Sequence, residues 1–395
     1  MRLTTFTTLR ELPGYSSLVL AMLLLGLTKS ITEPYITLFA VNQARMSPVQ
    51  LGVFLALLSL SAILISTRLA HRFDHKPGRR LALLALAVAA TGYLLLTTTT
   101  NYLLLTLIAV VFLAAGAAPF PQLFAVAKGH LDHLDSAIAT HGITALRSSF
   151  SLAWAVGPFL GAVILARFGF HGLFLATAAF YLLTLWTVSR IKDFTPGKAV
   201  VAHFSDQQGL PGQPIWPVLA SFGLFYTAMS MGIIALPIYV TRTAHGSASD
   251  VGLMFGLSAL LEVVVMLGLV LLPFRFSTEG LIRLALALFV LYFALVAALP
   301  YVGWLVAAQG IRAVSIALVM SLGISYFQSL MPGRVGFATA LFSNSAIAAE
   351  IIASLGAGAW AQVFGYQAIF PLCAGLAGAS WALMFFIQSR IRKGL

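Results

Sequence analysis

Hydrophobic residues run along this chain in twelve long blocks, separated by short punctuation rich in Arg, Lys, Pro and Gly. The blocks fall at 15–41, 49–71, 79–98, 101–128, 138–166 and 171–190, then 214–241, 249–272, 278–298, 301–329, 334–363 and 366–389. Each is near or above the ~20 residues a helix needs to cross the hydrocarbon of a bilayer. The one long polar stretch, 191–213, lies at the midpoint and contains Lys192, Asp193, Pro196, Gly197, Lys198, Asp206 and Pro211. This pattern predicts an all-α membrane protein of twelve transmembrane helices, arranged as two pseudo-symmetric six-helix bundles. The bundles are expected at 1–190 and 214–395, with 191–213 as the linker. Transporters built from such repeats place their substrate site between the halves, near the middle of the membrane.

Composition narrows the class. The chain has 395 residues, of which 60% are hydrophobic and 9% charged, which excludes a soluble globular domain. Its formal charge of +12 resides mostly in the short loops, so it points to helix orientation and anionic lipid, with no nucleic acid as partner. With the N-terminus in the cytoplasm, 17 of the 23 Lys and Arg fall on the cytoplasmic side, and Arg45, Arg167 and Arg242 on the outer side. That bias predicts that both termini are cytoplasmic. The first block carries Lys29 and Glu33 and is too long for a signal peptide, so it reads as a retained helix. A single cysteine, Cys373, and eight histidines without an HExxH pattern indicate neither a disulfide framework nor a metal site. No Gly-x-Ser-x-Gly and no Walker loop is present, which argues against an enzyme and against drive by ATP. No cofactor is expected, and a monomer suffices.

Charges inside the blocks carry the chemistry. Arg147 interrupts the fifth block, where a charge costs roughly 2.5–3.5 kcal/mol and normally faces a partner or a water-filled cavity. Trp154 follows seven residues later on the same helical face. A guanidinium can hold two adjacent hydroxyls, and an indole offers an apolar face to the C–H side of a pyranose. The other reading ties Arg147 to a neighbouring helix and puts Trp154 in the core. Gln122, Gln328 and Asn344 add amides, which both donate to and accept from hydroxyls. Glu33, Glu262 and Glu350 are candidate proton carriers, with Glu33 first because helix one should line the cavity. Lys29 stands one turn from Glu33 and is a candidate internal partner for it; Arg312 is a candidate partner for Glu262 or Glu350.

Three features carry a family resemblance. The 68–80 loop, with Asp74, Gly78, Arg79 and Arg80, resembles the signature loop of the major facilitator superfamily. There, carboxylate, helix ends and arginines form a charge latch that makes and breaks between states. Asp74 precedes Gly78 by four residues where the general pattern has three. Gly157-Pro158-x-x-Gly161 resembles the motif of proton antiporters in that superfamily; a packing kink is its plainer meaning. Finally, Pro119–Lys128, Leu146–Pro158 and above all Phe327–Ser345 resemble the bacterial sugar efflux transporter family. Glu33, and Ala235 where an Asp is expected, depart from its pattern. The Arg147–Trp154 spacing also resembles the sugar-binding pair of lactose permease. The resemblance implies the major facilitator fold in the bacterial inner membrane and proton-coupled export of sugars or small glycosides of the galactoside and glucose type. A proton-coupled multidrug exporter of the same fold is the alternative.

Overall fold

The computed structural model describes residues 12, 14–75, 79–131, 136–191, 215–271, 277–331 and 334–392. Apart from Ile191, the linker predicted at 191–213 lies outside the described residues, as do the side chain of Asp74 and all of Gly78. The described chain is helical nearly throughout, and ten of its helical spans are long and apolar enough to cross a membrane.

The helices follow the hydrophobic blocks closely. In the first half they are α1 (Tyr15–Asn42), α2 (Pro48–His75), α3 (Arg80–Leu95), α4 (Tyr102–Leu131), α5 (136–168) and α6 (170–189). In the second they are α7 (Ile215–Arg242), α8 (Ala248–Leu271), α9 (Thr278–Ala298), α10 (Val302–Leu330), α11 (Val335–Phe364) and α12 (Ile369–Arg392). The helical run from Ser136 to Ser189 divides at Gly169, whose φ of 64° and ψ of −169° occupy a region that only glycine enters readily. At 16 residues, α3 is shorter than its hydrophobic block, because Thr97 to Thr100 leave the helix.

Two of the helices are interrupted. In α1, α-helix runs over Tyr15–Ser30, a 3-10 turn covers Glu33–Tyr35, and α-helix resumes at Ile36–Asn42. Pro34 has no N–H to return to the carbonyl of Ser30, so the first segment ends there. In α4, a 3-10 turn at Leu113–Ala117 precedes Pro119, and Pro121 follows within the next turn.

The chain forms two compact units, Met1–Ala44 with Leu57–Val200, and Arg45–Ala56 with Val201–Leu395. The first unit is built on Leu18, Met22, Leu25, Leu86, Ala89, Leu123, Ala127, Tyr181 and Val188, drawn from α1, α3, α4 and α6. The second stacks aromatic residues: Phe225, Phe289, Tyr292 and Phe293 form one group of rings and Phe222, Phe327 and Phe342 another, and Tyr226 joins the two. Arg45–Ala56, the start of α2, belongs with the second unit through backbone contact: a Cβ on Gly52 would stand 2.6 Å from the Ser354 carbonyl and 3.0 Å from Gly358 Cα.

In the first unit, α1 and α5 approach to backbone distance. A Cβ on Gly26 would lie 2.6 Å from Ala153 Cβ, and one on Gly161 would lie 2.3 Å from the Ile31 carbonyl. Gly157 is tighter, with Ser30 Oγ only 1.8 Å from where its Cβ would stand. That proximity lets Ser30 donate to the Ala153 carbonyl (2.9 Å) and Tyr35 donate to the Pro158 carbonyl (2.6 Å). Polar contacts of this kind between helices, enabled by small residues, hold membrane bundles together in the absence of a hydrophobic drive. Gly157→Ala should therefore lower the unfolding midpoint of the purified protein, an overpacking cost of about 1–3 kcal/mol. Adding Ser30→Gly to Gly157→Ala should recover part of the loss; no recovery would show that the seam does not limit the fold.

Candidate functional site

Arg147 and Trp154 stand on α5 beside the seam. At about 100° per residue the two lie within roughly 20° of each other, about 60° around the helix from the stripe of Phe150, Ala153, Gly157 and Gly161 that meets α1. Arg147 is exposed and Trp154 half-buried. Among the described residues neither the guanidinium nor the indole N–H has a hydrogen-bond or ion-pair partner, so Arg147 is not tied to a neighbouring helix. A cation left free inside an apolar span belongs against water or a polar solute.

Gln122, also in the first unit, is only 3% exposed, yet among the described residues neither Oε1 nor Nε2 has a partner. A buried amide with both ends unmet costs free energy unless something polar arrives to meet it. Its position just after Pro119 and Pro121, next to the 3-10 turn, accounts for a polar side chain beside irregular backbone.

Glu33 is exposed and sits in the broken segment of α1. The hydroxyls around it fix that segment: Thr32 bonds to Thr177 on α6, and Tyr35 to α5. Glu33 also acts electrostatically on Tyr93 and Tyr181, which stack with centroids 5.5 Å apart. The expected Lys29–Glu33 pair does not form, since Lys29 has no partner among the described residues. The reason is geometric. One-turn pairing requires an unbroken α-helix, and the chain leaves it between Ser30 and Glu33.

In the second unit the charges are joined. Arg312, 7% exposed on α10, donates to Ser258 Oγ on α8 (2.9 Å), and Ser258 Oγ donates to Glu262 Oε1 (3.0 Å). Gln309 Oε1 accepts from Arg312 at 3.4 Å, and the guanidinium lies 5.5 Å from the ring centre of Phe255. Of the two candidate acids, Arg312 reaches Glu262 through a serine. Sequence reading missed Ser258 and Gln309. Their signal was present in the spacing, since Ser258 is four residues before Glu262 and Gln309 three before Arg312.

Asn344 on α11 is exposed, and its amide has no partner among the described residues. Gln328 is otherwise engaged: its Nε2 donates to Thr339 Oγ1 (3.0 Å), joining the end of α10 to α11. Arg79 donates to the carbonyls of Ser189 (2.7 Å) and Ile191 at the end of α6. A cation there meets the negative pole of the helix and its open carbonyls. Arg80 is exposed.

Comparison with known proteins places this arrangement. No family model matches the chain. It is 40% identical to the "Putative sugar efflux transporter" of Deinococcus radiodurans, over 96% of this chain and 99% of that one. The chain belongs to the sugar efflux transporter family of the major facilitator superfamily. To "Sugar efflux transporter A" of Dickeya chrysanthemi this family member is 29% identical over 96% of its length and 98% of the relative's. Among solved structures it resembles the nucleoside transporter NupG, with a TM-score of 0.75 at 12% identity over 96% of this chain and 99% of that one. It also resembles a bacterial homologue of the iron transporter ferroportin, with a TM-score of 0.74 at 14% identity over 95% and 99%. These likenesses establish the fold. The family member is a multi-pass membrane transporter and not an enzyme.

Arg312→Ala should destabilise the second unit, since a hydrogen bond to a charged group contributes about 1.5–3 kcal/mol and its acceptors would be left unmet. Thermal unfolding in detergent reads this directly, and an unchanged midpoint would remove Arg312 from the structural network.

Proposed function

We propose that this protein is a secondary transporter that exports sugars or small glycosides, of the galactoside and glucose type, across the bacterial inner membrane in exchange for protons. Transport proceeds by alternating access, with both termini in the cytoplasm. The observation that carries this reading is the free Arg147 guanidinium beside Trp154 on one face of α5. Its chemistry suits a pyranose, whose hydroxyls accept from the fork while its C–H face covers the ring. The Gln122 amide in the same unit, without a partner among the described residues, supplies a further hydroxyl partner. The names of the relatives from Deinococcus and Dickeya support the same substrate class.

For the proton, Glu33 is the first choice. It lies where α1 is broken, beside irregular backbone. Discontinuous membrane helices are where carriers place ions and substrates. Glu262, bonded within the Arg312–Ser258 chain, reads as structural.

Binding of methyl β-galactoside by the purified protein tests the site. Arg147→Ala should weaken it by about ten- to a hundredfold, the value of hydrogen bonds to a charged donor. Trp154→Phe should cost less than Trp154→Ala, because an aromatic face remains. Wild-type affinity in Arg147→Ala would end the binding role. In proteoliposomes Glu33→Gln should uncouple sugar movement from the pH gradient while leaving sugar exchange at equilibrium intact; coupling that persists would transfer the role to Glu350.

A further inference from the structure

The first unit contains a cavity of about 440 Å³ that lies away from Arg147, Trp154 and Gln122. Its walls come from the end of α1, the turn after α3, and the α5–α6 turn. The basic 68–80 loop leads into the start of α3, and this cavity lies at the opposite end of that helix, about 24 Å away at 1.5 Å per residue.

Part of the lining is aromatic: Phe39 packs on Phe174 (4.7 Å, edge to face) and on Phe170 (5.5 Å), so the rings hold each other in place, and Phe168 is 67% exposed. Besides Leu96 and Gly169, the rest of the lining is polar: Gln43, the run Thr97 to Thr100, and His171. The hydroxyls of Thr97 and Thr98 return to the carbonyls of Leu94 and Leu95. Gln43, Thr100 and His171 have no side-chain partner among the described residues and are free to bond a guest. Gly169 sets the shape. Its positive φ turns the chain sharply between Phe168 and His171, and nothing lies within 4 Å of where a Cβ would stand.

Charge selects the guest. Among the described residues, no Lys, Arg, Asp or Glu lines the cavity. A phosphate headgroup would find no cation, and a cationic drug no carboxylate. A lining that combines aromatic rings with amide, hydroxyl and imidazole groups matches a neutral molecule with an apolar face and a hydroxylated edge. The volume falls in the range of small-molecule sites.

We propose that this cavity is a second binding site, for a single neutral sugar ring, at the end of the unit remote from the basic loop. The choice of sugar over other neutral polyols rests on the transport reading above. Under that reading the site is where a sugar is held before entering or after leaving the Arg147 site.

The test is protection from chemical labelling. Cys373, the only cysteine, is buried and can be replaced by serine, after which Thr98→Cys places one thiol in the polar part of the lining. The full chain is purified in a detergent without a sugar headgroup, and its reaction with a maleimide is timed with and without methyl β-galactoside or glucose. At ten times its Kd, a ligand leaves about one site in eleven open, so labelling should slow about tenfold. The same slowing is expected with Arg147→Ala added, and little or none with choline. Unchanged labelling with both sugars overturns the site, as does slowing that disappears with Arg147→Ala. Slowing on transfer to lipid nanodiscs without sugar would identify lipid as the occupant and likewise overturn it. Transport of labelled sugar by the unaltered protein separates the two readings: transport without protection removes this cavity alone, and protection without transport removes the export reading and keeps the site.

Discussion

The backbone contact of α1 with α5 is the constraint on which the first unit depends. Three glycines, Gly26, Gly157 and Gly161, remove the Cβ atoms that would hold the helices apart. The close approach then creates partners for polar groups that lipid could not satisfy. Ser30 and Tyr35 take carbonyls on α5, one of them that of Pro158 within the helix. Without the seam, the broken stretch of α1 would expose unmet backbone in the hydrocarbon, which a membrane does not tolerate. With it, the break is stable and Glu33 is held at a defined place. The Gly-Pro-x-x-Gly motif thus has a structural cause whatever its part in coupling.

The two units use charge in opposite ways. In the second, Arg312, Ser258, Glu262 and Gln309 form a continuous chain of hydrogen bonds between α8 and α10. Joined in this way, a buried cation and its acid cost little and fix the register of two helices. In the first, among the described residues, Arg147 and Lys29 have no such partners, and Gln122 is buried with both ends of its amide unmet. Leaving polar groups unsatisfied in an apolar span is expensive. The proposed sugar site draws on two of those groups, Arg147 and Gln122.

Sequence alone determined the class and the helices. Runs of apolar residues long enough to span a bilayer leave helix as the only structure that satisfies the backbone there, so the hydrophobic pattern was sufficient. Even the division between α5 and α6 was legible, because only a glycine such as Gly169 accepts that turn. Charges within the blocks identified themselves by their insertion cost.

Which of those charges pair was a matter for tertiary structure. Lys29 and Glu33 are one turn apart in sequence, but Pro34 breaks the helix and with it the register on which pairing depends. Arg312 had two candidate acids, and the packing of α8 beside α10 chose Glu262. Gln122 and Gln328 are chemically alike; one is buried without a partner and the other bonds Thr339. Hydrophobic periodicity reports how a segment meets its solvent, whereas pairing depends on which residues from distant segments come within 3 Å of one another. Only the packed helices decide that.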